Sequence, residues 1–138
     1  MIREFSAGGV VIRRMRGRLH VAVVRVREQI LALPKGHPDQ GESAAAAAQR
    51  EVREETGLET ELVEKLDDIR YWYARDGQRV MKIVSFFLFR YRSGRVEDHD
   101  HEVEEALWIP LDEAPERLAY KGEREIAGAA LSRVTQGR

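Results

Sequence analysis

Glu51, Glu54 and Glu55 are the residues with the most concentrated chemistry in this chain. They fall in a segment, GHPDQGESAAAAAQREVREETGL (36–58), that favours a helix through the alanine run at 44–48 and the straight-chain residues after it. Ser43 reads as its N-cap and Gly57 as the left-handed residue that closes it. On such a helix positions 51, 54 and 55 are related as i, i+3 and i+4, so their carboxylates share one face. Like charges at that spacing repel, and a cation between them removes the cost. Carboxylates around a hard divalent cation are how proteins hold Mg²⁺ against a substrate phosphate. The alternative is an acidic, solvated helix face.

The spacing around the glutamates carries more. Gly36, five residues, Glu42, seven residues, then Arg50-Glu51-Val52-x-Glu54-Glu55-x-Gly57-Leu58 resembles the signature of the Nudix hydrolases at every fixed position. The resemblance implies an α/β fold, an α/β/α sandwich with a mixed sheet and a loop–helix–loop catalytic motif. It also implies hydrolysis of a nucleoside diphosphate linked to a further group, with Mg²⁺ or, in its place, Mn²⁺. Carried over residue by residue, it makes Glu51, Glu54 and Glu55 metal ligands, any one of which can also be the base for the attacking water. Glu42 then supports metal binding, Arg50 orients the glutamates by ion pairing, and the Lys35 carbonyl is a further ligand. Many members add a glutamate from a later loop, and Glu102, in HDHEVEEALW, is similar in position. A rival reading groups His99, His101 and Glu102 as a separate transition-metal site.

The rest of the chain must position these groups. Its 138 residues suffice for one domain with a real core. With 23 Lys+Arg against 24 Asp+Glu, net charge −1, no global basic field argues for a nucleic-acid polymer or a membrane surface. No cysteine is present, which excludes disulfides, zinc-thiolate sites and a cysteine nucleophile. No apolar run approaches transmembrane length and Met1-Ile2-Arg3-Glu4 does not begin a signal peptide, so a cytoplasmic protein is expected. The oligomeric state is left open.

Residues 5–12 and 19–26 read as a strand hairpin around Gly17. Residues 31–38 read as a loop stiffened by Pro34 and Pro38, in which Lys35 can meet a phosphate, Gly36 admits close approach, and His37 is either catalyst or plain loop residue. A strand follows within 59–73, a turn at Asp76-Gly77, and then residues 80–91 (VMKIVSFFLFRY), too apolar for any place but the middle of a sheet. Phe86, Phe87 and Phe89 are therefore core residues. Residues 103–109 read as a further strand, residues 111–114 as the opening of a short helix, and residues 123–134 as a C-terminal helix with Ile126, Ala127, Ala130 and Leu131 buried.

Three further stretches bear on substrate: Leu33-Pro34-Lys35-Gly36-His37, Arg70-Tyr71-Trp72-Tyr73 with Arg79-Val80-Met81-Lys82, and Tyr120-Lys121-Gly122-Glu123. They resemble segments of bacterial diadenosine polyphosphate hydrolases, although Leu31 stands where many of those relatives have tryptophan. Such a site needs aromatic faces for adenine, with Tyr71, Tyr73 and Tyr120 as candidates, and cations for a phosphate chain, with Lys35, Lys82 and Lys121 as candidates. The expected reaction is water attack on diadenosine tetraphosphate or a longer homologue, giving ATP and AMP from the tetraphosphate. A MutT-like nucleoside triphosphate pyrophosphohydrolase acting on oxidised nucleotides is the second enzyme reading. A nucleotide-sensing domain without catalysis is the third, and it typically lacks motif glutamates that are all present here. ADP-ribose and capped RNA have no motif of their own in this chain.

Overall fold

A computed structural model describes residues 1–136. The chain runs β1 (Ile2–Met15), β2 (Arg18–Arg27), β3 (Ile30–Ala32), β4 (Lys35–Gly36), α1 (Ala44–Thr56), β5 (Leu58–Arg75), β6 (Gln78–Gly94), β7 (Glu105–Pro110), α2 (Ala114–Arg117) and α3 (Lys121–Gln136). Single 3₁₀ turns at Val96–Asp98 and Leu111–Glu113 flank β7.

The expected hairpins form. β1 and β2 pair antiparallel across Arg16-Gly17, and β5 and β6 across Asp76-Gly77, with all four turn residues at positive φ. β6 lies between β5 and β1, and its pairing with β1 is parallel from Ile2↔Val80 to Ile12↔Arg90. The sheet is thus mixed, with its most apolar strand inside, as the run at 80–91 requires.

Strand alternation divides the core into two layers. Val10, Val21, Val23, Phe86 and Leu88 face α3, where Ile126, Ala127 and Ala130 meet them. Ala7, Val11, Ala22, Phe87 and Phe89 face α1 and pack on Ala47, Ala48 and Val52. The product is an α/β/α sandwich. α1 lies very close to the sheet at Gly9, where a Cβ would sit 2.7 Å from Phe89 and 2.8 Å from Val52. Only glycine admits that approach.

Residues 31–36, expected as loop, instead contribute β3 and β4. The reason is the geometry of β1 and β2. Their pairing covers only Ile12–Met15 with Arg18–Val21. Beyond it the two strands diverge, leaving two unpaired edges. β3 takes up β2 at Val24–Arg27, and β4 takes up β1 at Ala7 and Gly8. β7 runs along the other edge of β2. Unpaired backbone in a buried gap is costly, so the segment is drawn into the sheet. β4 therefore sits inside the sheet between α1 on one face and α3 on the other.

Helix α3 begins at Lys121, two residues earlier than expected, and β7 begins at Glu105, two later than the apolar pattern at 103–109 indicates. Val103 is nevertheless buried, in a small cluster with Val24, Ala32 and Ala106. No helix among the described residues is long and apolar enough to cross a membrane.

Candidate active site

Helix α1 is fixed at both ends. The Ser43 hydroxyl accepts the Ala46 N–H at 3.1 Å, and Gly57, at φ 76°, donates its N–H to the Arg53 carbonyl. Its apolar stripe, Ala47, Ala48 and Val52, sets the rotation, and this turns Arg50, Glu51, Glu54 and Glu55 towards β4 and the loop that follows it. Arg50 is the hub. Its Nε and Nη2 donate to the two oxygens of Glu42 at 2.9 Å each. Nη2 also donates to the His37 carbonyl at 2.9 Å, and Nη1 to Glu51 at 3.1 Å and Glu54 at 3.2 Å. The fork geometry of a guanidinium suits a bidentate partner on one edge and two carboxylates on the other. Hydrogen bonds from Arg50 and from the Asp39 N–H hold the Glu42 carboxyl down at about 2. The same carboxylates raise Arg50 above the ordinary arginine value.

Glu51 and Glu55 have the opposite environment. The Glu51 carboxylate lies where a Cβ on residue 36 would have to be, so Gly36 is the cradle that admits it. Burial raises its pKa, Arg50 opposes the rise, and the charges of Glu54 and Glu102 add to it. Glu55 accepts the Lys35 N–H at 3.2 Å, yet burial pushes its carboxyl up to about 7, with Glu51 and Asp100 reinforcing the shift. Asp100 belongs to the turn before β7 and is tied to α1 by its N–H, which donates to the Glu54 carbonyl at 2.9 Å. In the same turn Glu102 is exposed and donates its N–H to Asp100 at 3.1 Å. Hard oxygen donors with too little positive charge among them fit a divalent cation. The arrangement is not closed around one, however. Among the described residues no three His, Asp or Glu side chains converge as ligands, neither Glu51, Glu54 and Glu55 nor His99, His101 and Glu102. The Arg50 guanidinium is the cation that lies between Glu51 and Glu54.

The Glu55 shift has a consequence for metal-free protein. A carboxyl near 4.5 when unfolded and at about 7 when folded leaves the folded state binding more protons between those values. Stability is full below about 4.5, falls as pH rises through about 7, and is lowest above that. The loss expected between pH 5 and 8 is about 2–3 kcal/mol. Denaturant melts of wild type and Glu55→Gln at both pH values check it, because the variant should lose most of this slope.

The opposite face of β4 holds the other expected residues. Lys35 sends its ammonium away from the glutamates to Glu123, at 2.7 Å, and lies 5.5 Å from the Tyr120 ring centroid. Tyr71 stands beside it, its hydroxyl pKa raised by burial and influenced by the charges of Lys35, Glu123 and Tyr120. Lys82 is the cross-strand partner of Tyr71, and burial lowers its pKa. The structure therefore gathers Lys35, Tyr71, Lys82 and Tyr120 on one side. Tyr73 shares their sheet face, 6.5 Å from Tyr71 between ring centroids, but its hydroxyl donates to Glu4, which also pairs with Arg75. His37 lies exposed with Nδ1 at 3.0 Å from the Phe5 carbonyl, and Lys121 is exposed at the start of α3. Glu123, only 1 % exposed, was not singled out by its spacing. Its sequence signals are its place at the end of the Tyr120-Lys121-Gly122-Glu123 stretch and an acidic residue in the first turn of a helix with an apolar stripe.

The NUDIX domain pattern matches residues 3–128. A Mycobacterium tuberculosis protein bearing the name MutT4 is 42% identical over 136 residues, covering 94% of this chain and 55% of that protein. An 8-oxo-(d)GTP phosphatase of Mycolicibacterium smegmatis is 34% identical over 109 residues, covering 78% of this chain and 32% of that protein. The chain thus spans about half the length of the first relative and a third of the second. The crystal structure of a C. elegans Ap4A hydrolase binary complex superposes with a TM-score of 0.73 at 20% identity, over 96% of this chain and 98% of that one. Motif, sandwich and family pattern coincide on the same residues, and the chain belongs to the NUDIX domain family.

Proposed function

We propose that this chain hydrolyses a phosphoanhydride of a nucleoside polyphosphate, using Mg²⁺ or Mn²⁺ held by Glu51, Glu54 and Glu55 with help from Glu102, Glu42 and the Lys35 carbonyl. The observation that carries the reading is the pair of desolvated carboxylates, Glu51 and Glu55, packed on one side of the Lys35-Gly36 backbone, with tyrosines and lysines on the other. When bound, the cation neutralises phosphate charge and lowers the pKa of a coordinated water. Glu55 would accept the proton of the attacking water, the charge of a bound cation favouring the ionised form that burial alone opposes. Arg50 and Glu42 orient the neighbouring glutamates. Tyr71 and Tyr120, both partly exposed, offer faces for the base, and Lys82 and Lys121 offer charge for the phosphates, with His37 at the rim.

For substrate, the two mycobacterial relatives favour a MutT-like activity on oxidised purine nucleoside triphosphates. Diadenosine tetraphosphate is the second reading, and it rests on the LPKGH, RYWY and YKGE stretches, whose aromatic and cationic residues gather here. Product analysis separates them. Protein with Mg²⁺ would receive 8-oxo-dGTP, diadenosine tetraphosphate, ADP-ribose and ordinary triphosphates at matched concentration. Fastest release of pyrophosphate or orthophosphate from 8-oxo-dGTP supports the first, and fastest formation of ATP plus AMP replaces it with the second. No turnover of any of them, with Mg²⁺-dependent binding retained, would sink both and revive a sensing role. On either enzyme reading Tyr71→Ala is expected to raise KM by about 5- to 150-fold, as loss of one base stack of ~1–3 kcal/mol requires. Steady-state kinetics would check it, and an unchanged KM would remove Tyr71 from the base site.

A further inference from the structure

Lys35 touches both halves of the site. Its N–H meets Glu55 on the α1 side of β4, and its ammonium lies near Tyr120 on the α3 side. What determines its placement is a carboxylate outside the glutamate motif. Glu123, 1 % exposed in the first turn of α3, accepts the Leu33 N–H with Oε1 at 2.7 Å and pairs through Oε2 with Lys35 Nζ at 2.7 Å. One side chain thus grips the strand at residues 33 and 35, on either side of Pro34. The Pro34 carbonyl accepts the Gly9 N–H at 3.1 Å, which ties the same segment to β1.

We infer that Glu123 is a positioning residue for the catalytic site: it fixes β4 so that Lys35 presents its N–H to Glu55 and its ammonium beside Tyr120 at the same time. A buried ion pair is poor at adding stability, because desolvation offsets the attraction and an apolar pair of similar size does as well. Its hydrogen bonds do fix geometry. Strand alternation puts the Lys35 side chain on the α3 face, and the Glu123 pair fixes where on that face its ammonium stands. Gly122 keeps α3 against the sheet at this point, since a Cβ there would meet Ile69 at 2.9 Å. The inference rests on the hydrolase reading for its catalytic meaning, while the placement of β4 does not.

The test compares wild type with Glu123→Gln and Glu123→Ala by three measurements. Glutamine keeps an acceptor for the Leu33 N–H and removes the charge from Lys35, whereas alanine removes both. Thermal melts establish that each variant folds. Hydrogen exchange of the Lys35 amide in metal-free protein, relative to core amides of β6, is expected to speed up about tenfold in Glu123→Ala and less in Glu123→Gln. Mn²⁺ affinity read by electron paramagnetic resonance is expected to weaken in the same order, with kcat falling alongside. A lower melting temperature with unchanged relative protection and unchanged Mn²⁺ affinity would overturn the inference and leave Glu123 a plain core residue. If wild type turns over no nucleotide while the exchange and Mn²⁺ effects persist, the hydrolase reading fails and the positioning role stands. If Glu123→Ala does not fold, Glu123→Gln decides by the same two readouts.

Discussion

Gly36→Ala is expected to inactivate the protein without unfolding it. A methyl at residue 36 would fall inside the Glu51 carboxylate, and all three of its nearest atoms belong to that one side chain. A side-chain end can rotate away, so the fold need not shift. Gly36 is also absent from the residues at positive φ, which means alanine adopts its backbone conformation without strain. The unfolded chain loses freedom, and this alone stabilises by about 0.4–1 kcal/mol. The catalytic consequence runs the other way. Displacing a reacting group by about 1 Å costs on the order of a hundredfold in rate. Turnover with Mg²⁺ should therefore fall by about two orders of magnitude while the melting temperature holds or rises. Full activity in this variant would show that Glu51 does not work from its place against β4, and the site assignment would fail with it.

Arg50→Gln is expected to lower both activity and stability, and to do so in a cation-dependent way. Arg50 is the positive group shared by Glu42, Glu51 and Glu54, with 21% of its side chain exposed. Removing it leaves those carboxylates facing one another. A fully buried pair broken in this manner costs 3–5 kcal/mol, and partial exposure brings the expected loss to about 2 kcal/mol. Lysine should not rescue it, because a single ammonium cannot span the bidentate Glu42 contact and the His37 carbonyl together. Mg²⁺ supplies the missing positive charge, so it should raise the melting temperature of Arg50→Gln more than that of wild type. Equal shifts in the two proteins would mean that the cation does not bind among these carboxylates.

Much of this architecture is legible from residue types because the signals are local. Ser43 and Gly57 mark the ends of α1, Arg16-Gly17 and Asp76-Gly77 mark the turns, and the run at 80–91 can only be an inner strand. The two faces of that strand, Phe86 with Leu88 and Phe87 with Phe89, follow from alternation alone. The short strands β3 and β4 are not legible. They exist because β1 and β2 diverge after four paired positions, and divergence between distant segments leaves no trace in residues 31–36. The same holds for Glu123. Its burial depends on where α3 docks, 90 positions from its hydrogen-bond partner Leu33. The glutamates were recognisable by their spacing, whereas the split of their environments was not. Glu42 and Glu55 are both acidic residues of one motif, yet one is held at about 2 and the other pushed to about 7 by what surrounds them.

The parallel pairing of β1 with β6 also dictates an order of events during biosynthesis. The second residue of the chain finds its neighbour only at the eightieth, and the twelfth only at the ninetieth. Until β6 has left the ribosome, β1 has one finished edge at most, and the apolar stretch at residues 83–89 emerges before any layer exists to cover both its faces. Loop closure over such a span must precede the contacts that reward it, so assembly is slow relative to helix formation. Helix α1, with local caps and an alanine run, can form early but has no sheet to dock on. A ribosome-bound chain from which residue 94 has just emerged should accordingly bind holdase chaperones more strongly than one from which nothing beyond residue 78 has emerged, or than the released protein.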